Sequence, residues 1–486
     1  MRGPTMNKRK QVHQHIKEHR EQHLGRVREY MAQPSVSQED PKGVAKCATL
    51  LQGYFKQLGA REAEVVQTPV LPAAWGYIDA GAPKTLAVYA YFDTNIVGSG
   101  WDHDPYKSVI AERKPFKSVV YGRGGGTKGG FAAFLNAIDS IQAVDGKLPV
   151  NLMVVAEGEE FVGSDNIPML IDKYRHHLSK ADATIVPAPC QNPSGDVTLF
   201  LGNKGNLHIE YECSGERWGK GPAGGPVHSS AQPVVDHPVW RLVSALNTLY
   251  DHKSNRVLVN GFYDGLLKPT GEDMELIDAL AVKYKGRESS AIPNMAPGKV
   301  AKFAHNAAGR DAFMHYCFDP TMNINGIRGG YTGPGTLLWT LPHAAYATVD
   351  HRLPPDLEPN DIAKKIRAHL DKLGYNDIGM KILMAVPPQK LSVKDDLAKA
   401  GLRVFKEWGI EPTVWPRRGA SGPMGFFSQM LGHKVLGATG IGYASGHSAP
   451  NEFLVVDGDG KVGGLVELEQ SYVDLLYSYA AYPKEF

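Results

Sequence analysis

The chain has 486 residues, enough for two domains, because a single hydrophobic core seldom grows beyond about 250–300 residues. Its 53 Lys and Arg against 51 Asp and Glu leave a formal charge of +2, and 42% of its residues are hydrophobic, so composition describes an ordinary globular protein and argues against nucleic acid or an anionic membrane as partner. Four cysteines, Cys47, Cys190, Cys213 and Cys317, lie far apart without a CxxC pair, which speaks against a zinc ribbon or a disulfide framework and predicts free thiols in a reducing compartment.

The amino terminus, MRGPTMNKRKQVHQHIKEHREQHL, is basic and lacks the apolar run of a secretory leader, and no stretch of 18 apolar residues follows anywhere. A cytoplasmic protein is the expectation. From His13 to Met31 charged residues dominate, which predicts a solvated helix. PKGVAKCATLLQGYFKQLG at 41–59 places Val44, Ala48, Leu51 and Phe55 at helical spacing and stops on Gly59. AEVVQTP, AWGYIDAG and TLAVYAYFDTN read as strands, the last delivering Tyr91, Phe92 and Asp93 to its carboxyl end.

At 121–130, YGRGGGTKGG is a glycine-rich turn before the helical FAAFLNAIDSIQAV. Its spacing matches neither a dinucleotide fingerprint nor a Walker lysine, so a tight turn at a pocket rim is the better reading. The apolar run VNLMVVA at 150–156 then stops at EGEEFVGS, the pattern of a buried parallel strand carrying acids to its carboxyl end, where open α/β sheets place their chemistry. A helix near Pro168 to Leu178 and the strand ATIVPAP follow.

From about Gly202 the texture changes. NKGNLHIEYECSG alternates like a strand with one exposed face, PVWRLVSALNTLYD is amphipathic, WTLPHAAYATVDHRLPP alternates again, and DIAKKIRAHLDKLG is a helix. Those elements predict a small α+β domain over 204–388, inserted into an α/β domain made of 1–203 and 389–486.

Six segments in order, YGRG, EGEEFVGS, PTMNINGIRGGYTGPG, VDHRLPP, RRGAS and GHSAPNE, make the chain resemble the dinuclear zinc peptidases and deacylases that include carnosinase, acetylornithine deacetylase and succinyl-diaminopimelate desuccinylase. The resemblance implies a mixed-sheet catalytic domain flanked by helices, with an inserted lid and dimerisation domain. It also implies two metals held by His, a bridging Asp, Glu, a second Asp and a final His, which polarise the amide carbonyl and acidify water. Matched residue by residue, the first His falls on Tyr91, the bridging Asp in Gly125–Thr127, the Glu on Phe161 and the second Asp near Pro187–Pro189; only the last His is present, as His447. Sliding the register by one residue instead makes Glu159 the water activator and Glu160 a ligand. No metal or other cofactor is therefore expected.

The remaining machinery matches better. Glu160 stands where the family's general base stands, and Asp93, next to the first-His position, matches the acid that orients that His in the family. His228 matches a His that reaches the partner subunit's site to stabilise an oxyanion, and Thr332 a lid residue of similar role, which makes a homodimer the expectation. Arg352 matches the arginine that pairs with a substrate carboxylate, Asn323 and Tyr91 line the pocket, and Arg417 and Ser421 belong to a loop closing on it. The charge of Lys128 can replace part of the missing cationic field. The plainer alternatives also stand: Asp93 and Glu160 as structural acids, His228 and His447 as capping or core histidines, His103 as a rim residue, and Tyr91 and Phe161 as aromatic filler where the metals would sit.

Three functions compete on this reading. One is a metal-independent enzyme acting on an amide or related C–N bond of a small, carboxylate-bearing, amino-acid-like molecule, by hydrolysis, acyl transfer or cyclisation. The others are a metal-dependent dipeptidase or deacylase with unusual ligands, and a non-catalytic binding protein on the same scaffold.

Overall fold

The computed structural model describes residues 4–293, 295, 300–331, 333 and 339–481. They form two compact units, one of Met1–Leu201, Lys390–Trp415 and Phe426–Phe486, the other of Gly202–Gln389 with Pro416–Gly425.

The first unit is built on a six-stranded sheet in the order Glu62–Val66, Ala73–Ile78, Asn151–Glu157, Thr85–Tyr91, Ala183–Val186, Lys434–Gly437. The first two strands pair antiparallel and join Asn151–Glu157 antiparallel, and the remaining pairings are parallel. Every residue of Asn151–Glu157 is buried, as a near-continuous apolar run predicts for a strand covered on both faces. The register sets Tyr91 opposite Glu157, so two strand ends deliver their side chains to one place. The helix Pro41–Gln57 starts where the sequence suggests, with Asp40 accepting from the Gly43 N–H at 2.8 Å and Pro41 in the first turn, where its missing N–H costs nothing.

The expected solvated helix at the amino terminus is corrected. Two helices, Pro4–Glu18 and Arg20–Ala32, pack against Lys128–Asp145 and bury Val12, Ile16, Leu24, Val27, Tyr30 and Met31. Buried polar groups tie them in: His23 Nδ1 lies 2.6 Å from a Glu469 carboxylate oxygen, and Asn136 donates to the other oxygen at 2.7 Å. Sparse apolar residues are enough here because they recur on one helical face.

In the second unit the sheet runs Asn323–Arg328, Ala344–Leu353, Gly205–Ser214, Gly379–Val386, antiparallel throughout. Ala344–Leu353 alternates between buried and partly exposed residues along its whole length, the period-two pattern of a sheet with one covered face. The cover comes from the helices Pro238–Asn247 and Pro359–Lys372, whose Leu242, Leu246, Ile362 and Ile366 share a core with Leu207, Ile209 and Val349. No helix among the described residues is long and apolar enough to cross a membrane. Of the four cysteines, all unpaired, Cys47, Cys213 and Cys317 are buried.

Candidate functional site

In the first unit the strand Asn151–Glu157 runs into a single 3-10 turn, Glu160–Val162. That turn is held by Asp93, whose carboxylate accepts from the Glu160 N–H at 3.1 Å and from the Phe161 N–H at 2.9 Å. Asp93 itself is fully buried, and burial pushes its carboxyl up to about 6 although the two N–H groups pull the other way. It fixes the backbone that carries Glu160, which remains partly exposed.

The neighbouring acids differ from Glu160 in kind. Glu157 is buried, accepts from the Tyr89 hydroxyl at 2.5 Å and from Ser164 at 3.0 Å, and has its other oxygen unpartnered among the described residues. Burial raises its carboxyl well above the ordinary range. Glu159 is 1% exposed, accepts from Asn166 at 3.0 Å and is also raised by burial. Of the two register choices at this turn, the burial of Glu159 leaves Glu160 as the acid within reach of solvent.

Aromatic rings surround the turn. Tyr91 meets Phe161 edge to face at 6.1 Å between centroids, and Phe161 lies 5.8 Å from the ring of the exposed His447. The structure therefore brings together Tyr91, Asp93, Glu160 and His447 from the expected set. Lys128 reaches Asp93 by its charge and makes its own bonds elsewhere. It is fully buried, donates to the Gln33 carbonyl at 2.5 Å and to Ser35 at 3.1 Å, and sits 5.2 Å over the Tyr30 ring, so its ammonium braces the interior. Among the described residues no group of three or more His, Cys, Asp or Glu is arranged to hold a metal ion.

The glycine-rich turn carries a buried pair that reading single motifs missed. Arg123 of YGRG donates to a Glu452 carboxylate oxygen at 3.0 Å and to the carbonyls of Ile96, Val97 and Ala449. Both partners stand inside recognised motifs, so an arginine in one and a glutamate in the other was the available signal.

The second unit holds the residues expected to recognise the substrate. Arg352 pairs with Asp350 at 3.0 Å and donates to the Ser421 hydroxyl at 3.1 Å. Asn323 lines the same cavity as Arg352. Arg417 is buried, lies 4.3 Å over the Phe318 ring and pairs with Asp273 at 3.5 Å; burial lowers its pKa. It packs inside the unit instead of facing solvent as a closing loop residue does. His228 is exposed in a two-residue strand, its Nδ1 2.8 Å from the Ser230 hydroxyl. Thr332 lies outside the described residues.

Residues 222–378 match the family model described as "Peptidase dimerisation domain". The human Beta-Ala-His dipeptidase is 25% identical over 92% of this chain and 90% of that protein. The Cys-Gly metallodipeptidase DUG1 of Candida albicans is 24% identical over 87% of this chain and 88% of that protein. Among solved structures, an M20 family metallo-carboxypeptidase from Sulfolobus solfataricus superposes with a TM-score of 0.80 at 29% identity, covering 94% of this chain and 99% of that one.

Proposed function

This chain is a relative of the M20 peptidases, built on their fold, and from that premise we propose that it hydrolyses an amide bond of a small, dipeptide-like substrate bearing a carboxylate. The supporting observation is the Asp93 clamp on the Glu160 and Phe161 N–H groups, which holds one partly exposed carboxylate at a strand end among buried acids. Glu160 is the general base, Arg352 with Ser421 recognises the substrate carboxylate, and His447 and His228 stabilise developing charge. The "metallodipeptidase" and "metallo-carboxypeptidase" relatives favour metal-dependent hydrolysis. A metal-free reaction is the second reading, favoured by the aromatic contacts of Tyr91, Phe161 and His447 and by the lack of a ligand set among the described residues.

The test is dipeptide turnover by the wild type and Glu160→Gln, with elemental mass spectrometry on both before and after dialysis against zinc and manganese. Glu160→Gln is expected to lose about 100-fold or more in kcat with KM little changed. Unchanged turnover removes Glu160 as base. Two metals per chain select the metal-dependent reading, and well below one selects the other. The "Peptidase dimerisation domain" match supports a homodimer, and we propose that His228 reaches the partner's site in it. Hybrids of His228→Ala and Glu160→Gln subunits should then recover part of the activity that each homodimer lacks, and hybrids as inactive as both parents would refute that sharing.

A further inference from the structure

The first unit carries a second place of interest, a cavity of about 590 Å3 that no residue of the cluster around Glu160 lines. Its size lies inside the ~300–1,000 Å3 range of small-molecule pockets. Ile441, Val456 and Val462, all buried, make part of its wall apolar. Trp408 adds an aromatic ring, and its Nε1 donates to Asp474 at 2.9 Å, so the indole is pinned. The segment carrying Lys461 is held as firmly. Asp459 accepts from the Lys461 and Val462 N–H groups at 2.9 Å, while the buried Gln191 donates to the Lys461 carbonyl at 3.0 Å and accepts from the Gly463 N–H at 2.8 Å. A lining fixed in advance lowers the entropy lost when a ligand is ordered on it.

The charged groups on this wall divide into those already engaged and those left open. Arg20 donates to both oxygens of Asp457 at 2.8 Å and also pairs with Glu21, and the Ser118 hydroxyl donates to the same Asp457 carboxylate at 2.5 Å. One oxygen of Glu467 accepts from the Gly464 N–H at 2.8 Å. Its other oxygen, and the ammoniums of Lys117 and Lys461, make no hydrogen bond or ion pair among the described residues. The charge of Lys461 reaches Asp459 without a bond between the two side chains. An ammonium has donors and no acceptor, so two open ones call for an anion with several oxygens, and a phosphate monoester offers three. The open Glu467 oxygen calls for a donor such as a sugar hydroxyl, and the pinned indole for a flat ring.

We propose that this cavity binds a nucleoside monophosphate, its phosphate held by Lys117 and Lys461, a ribose hydroxyl donating to Glu467 and its base packed on Trp408 and Ile441. The assignment stands independently of the hydrolase reading, because the two places share no residue.

The test is calorimetric titration of the full chain at low salt with adenosine monophosphate, adenosine and ribose phosphate. The nucleotide is expected to bind at least about tenfold more tightly than either of the others. The double substitution Lys117→Met with Lys461→Met should weaken the nucleotide by about tenfold and leave adenosine unchanged. Both lysines are exposed, and a thermal melt checks that the variant folds. Equal binding of nucleotide and adenosine would show that the phosphate is not gripped, and equal binding of nucleotide and ribose phosphate that the base is not recognised. An affinity unchanged in the double variant would put the ligand elsewhere. Any one of these results, or no binding at all, overturns the assignment.

Discussion

Both units bury charge-bearing side chains, and they handle them in opposite ways. In the first unit Asp93, Glu157 and Glu159 are buried acids whose pKa values are raised by burial, and each is wired to nearby donors: Asp93 to backbone N–H groups, Glu157 to Tyr89 and Ser164, Glu159 to Asn166. In the second unit the buried cations Lys204 and Arg417 are shifted down by burial, and Lys204, which lines a cavity, donates to the Asp319 carbonyl and lies over the Tyr316 ring. Acids that serve one another's geometry build a turn. A buried cation on a cavity wall borders open space instead. Burial and a shifted pKa therefore mark both kinds of place, and only the partner inventory separates structure from recognition.

The most damaging way to break the first arrangement is Asp93→Ala. It strips the acceptor from the Glu160 and Phe161 N–H groups. A buried donor left unpaired costs about 1–3 kcal/mol, and both N–H groups are only partly buried, so chemical denaturation should show a loss of roughly 1–3 kcal/mol in all. Turnover should fall with it, because the backbone carrying Glu160 is no longer fixed. A loss below about 0.5 kcal/mol would mean that the turn holds itself and that Asp93 is free for direct chemistry.

The same distinction explains how far the sequence could be read. The strand Asn151–Glu157 and the alternating Ala344–Leu353 were legible because burial on two faces or one writes itself into local periodicity. So were the residues Tyr91, Asp93, Glu160 and His447, which sit at element ends inside recognisable motifs. The amino-terminal helices were misread because Val12, Ile16 and Val27 are outnumbered locally by charges, and the polar group that ties down His23 is Glu469, 446 positions away. The bonds of Lys128 were hidden for a related reason: its partners Gln33 and Ser35 lie more than 90 positions upstream. The second unit's cavity gathers Lys204, Tyr250, Phe303, Met322 and Arg352 from across the inserted unit, and no window of sequence shows that they share a wall.

A smaller effect sharpens the comparison further, because it asks whether the buried acids of the first unit are charged at all. Glu157 has its folded-state pKa raised well above 4.5 by burial, so the folded chain keeps a proton that the unfolded chain loses. Stability from this group is then greatest below about pH 4.5 and falls as the pH climbs toward the raised value. Glu157→Gln copies the protonated form, since its amide oxygen can accept from Tyr89 and Ser164 as the present carboxyl oxygen does. Its amide nitrogen takes the position of the unpartnered oxygen, so near pH 5 the variant should match the wild type or fall slightly below it, within about 1 kcal/mol. Between pH 5 and pH 8 the difference should move steadily in favour of the glutamine, as seen in denaturation midpoints at each pH. A difference that stays constant over that range would mean that Glu157 is ionised in the folded chain, and the contrast between protonated acids in one unit and buried cations in the other would have to be redrawn.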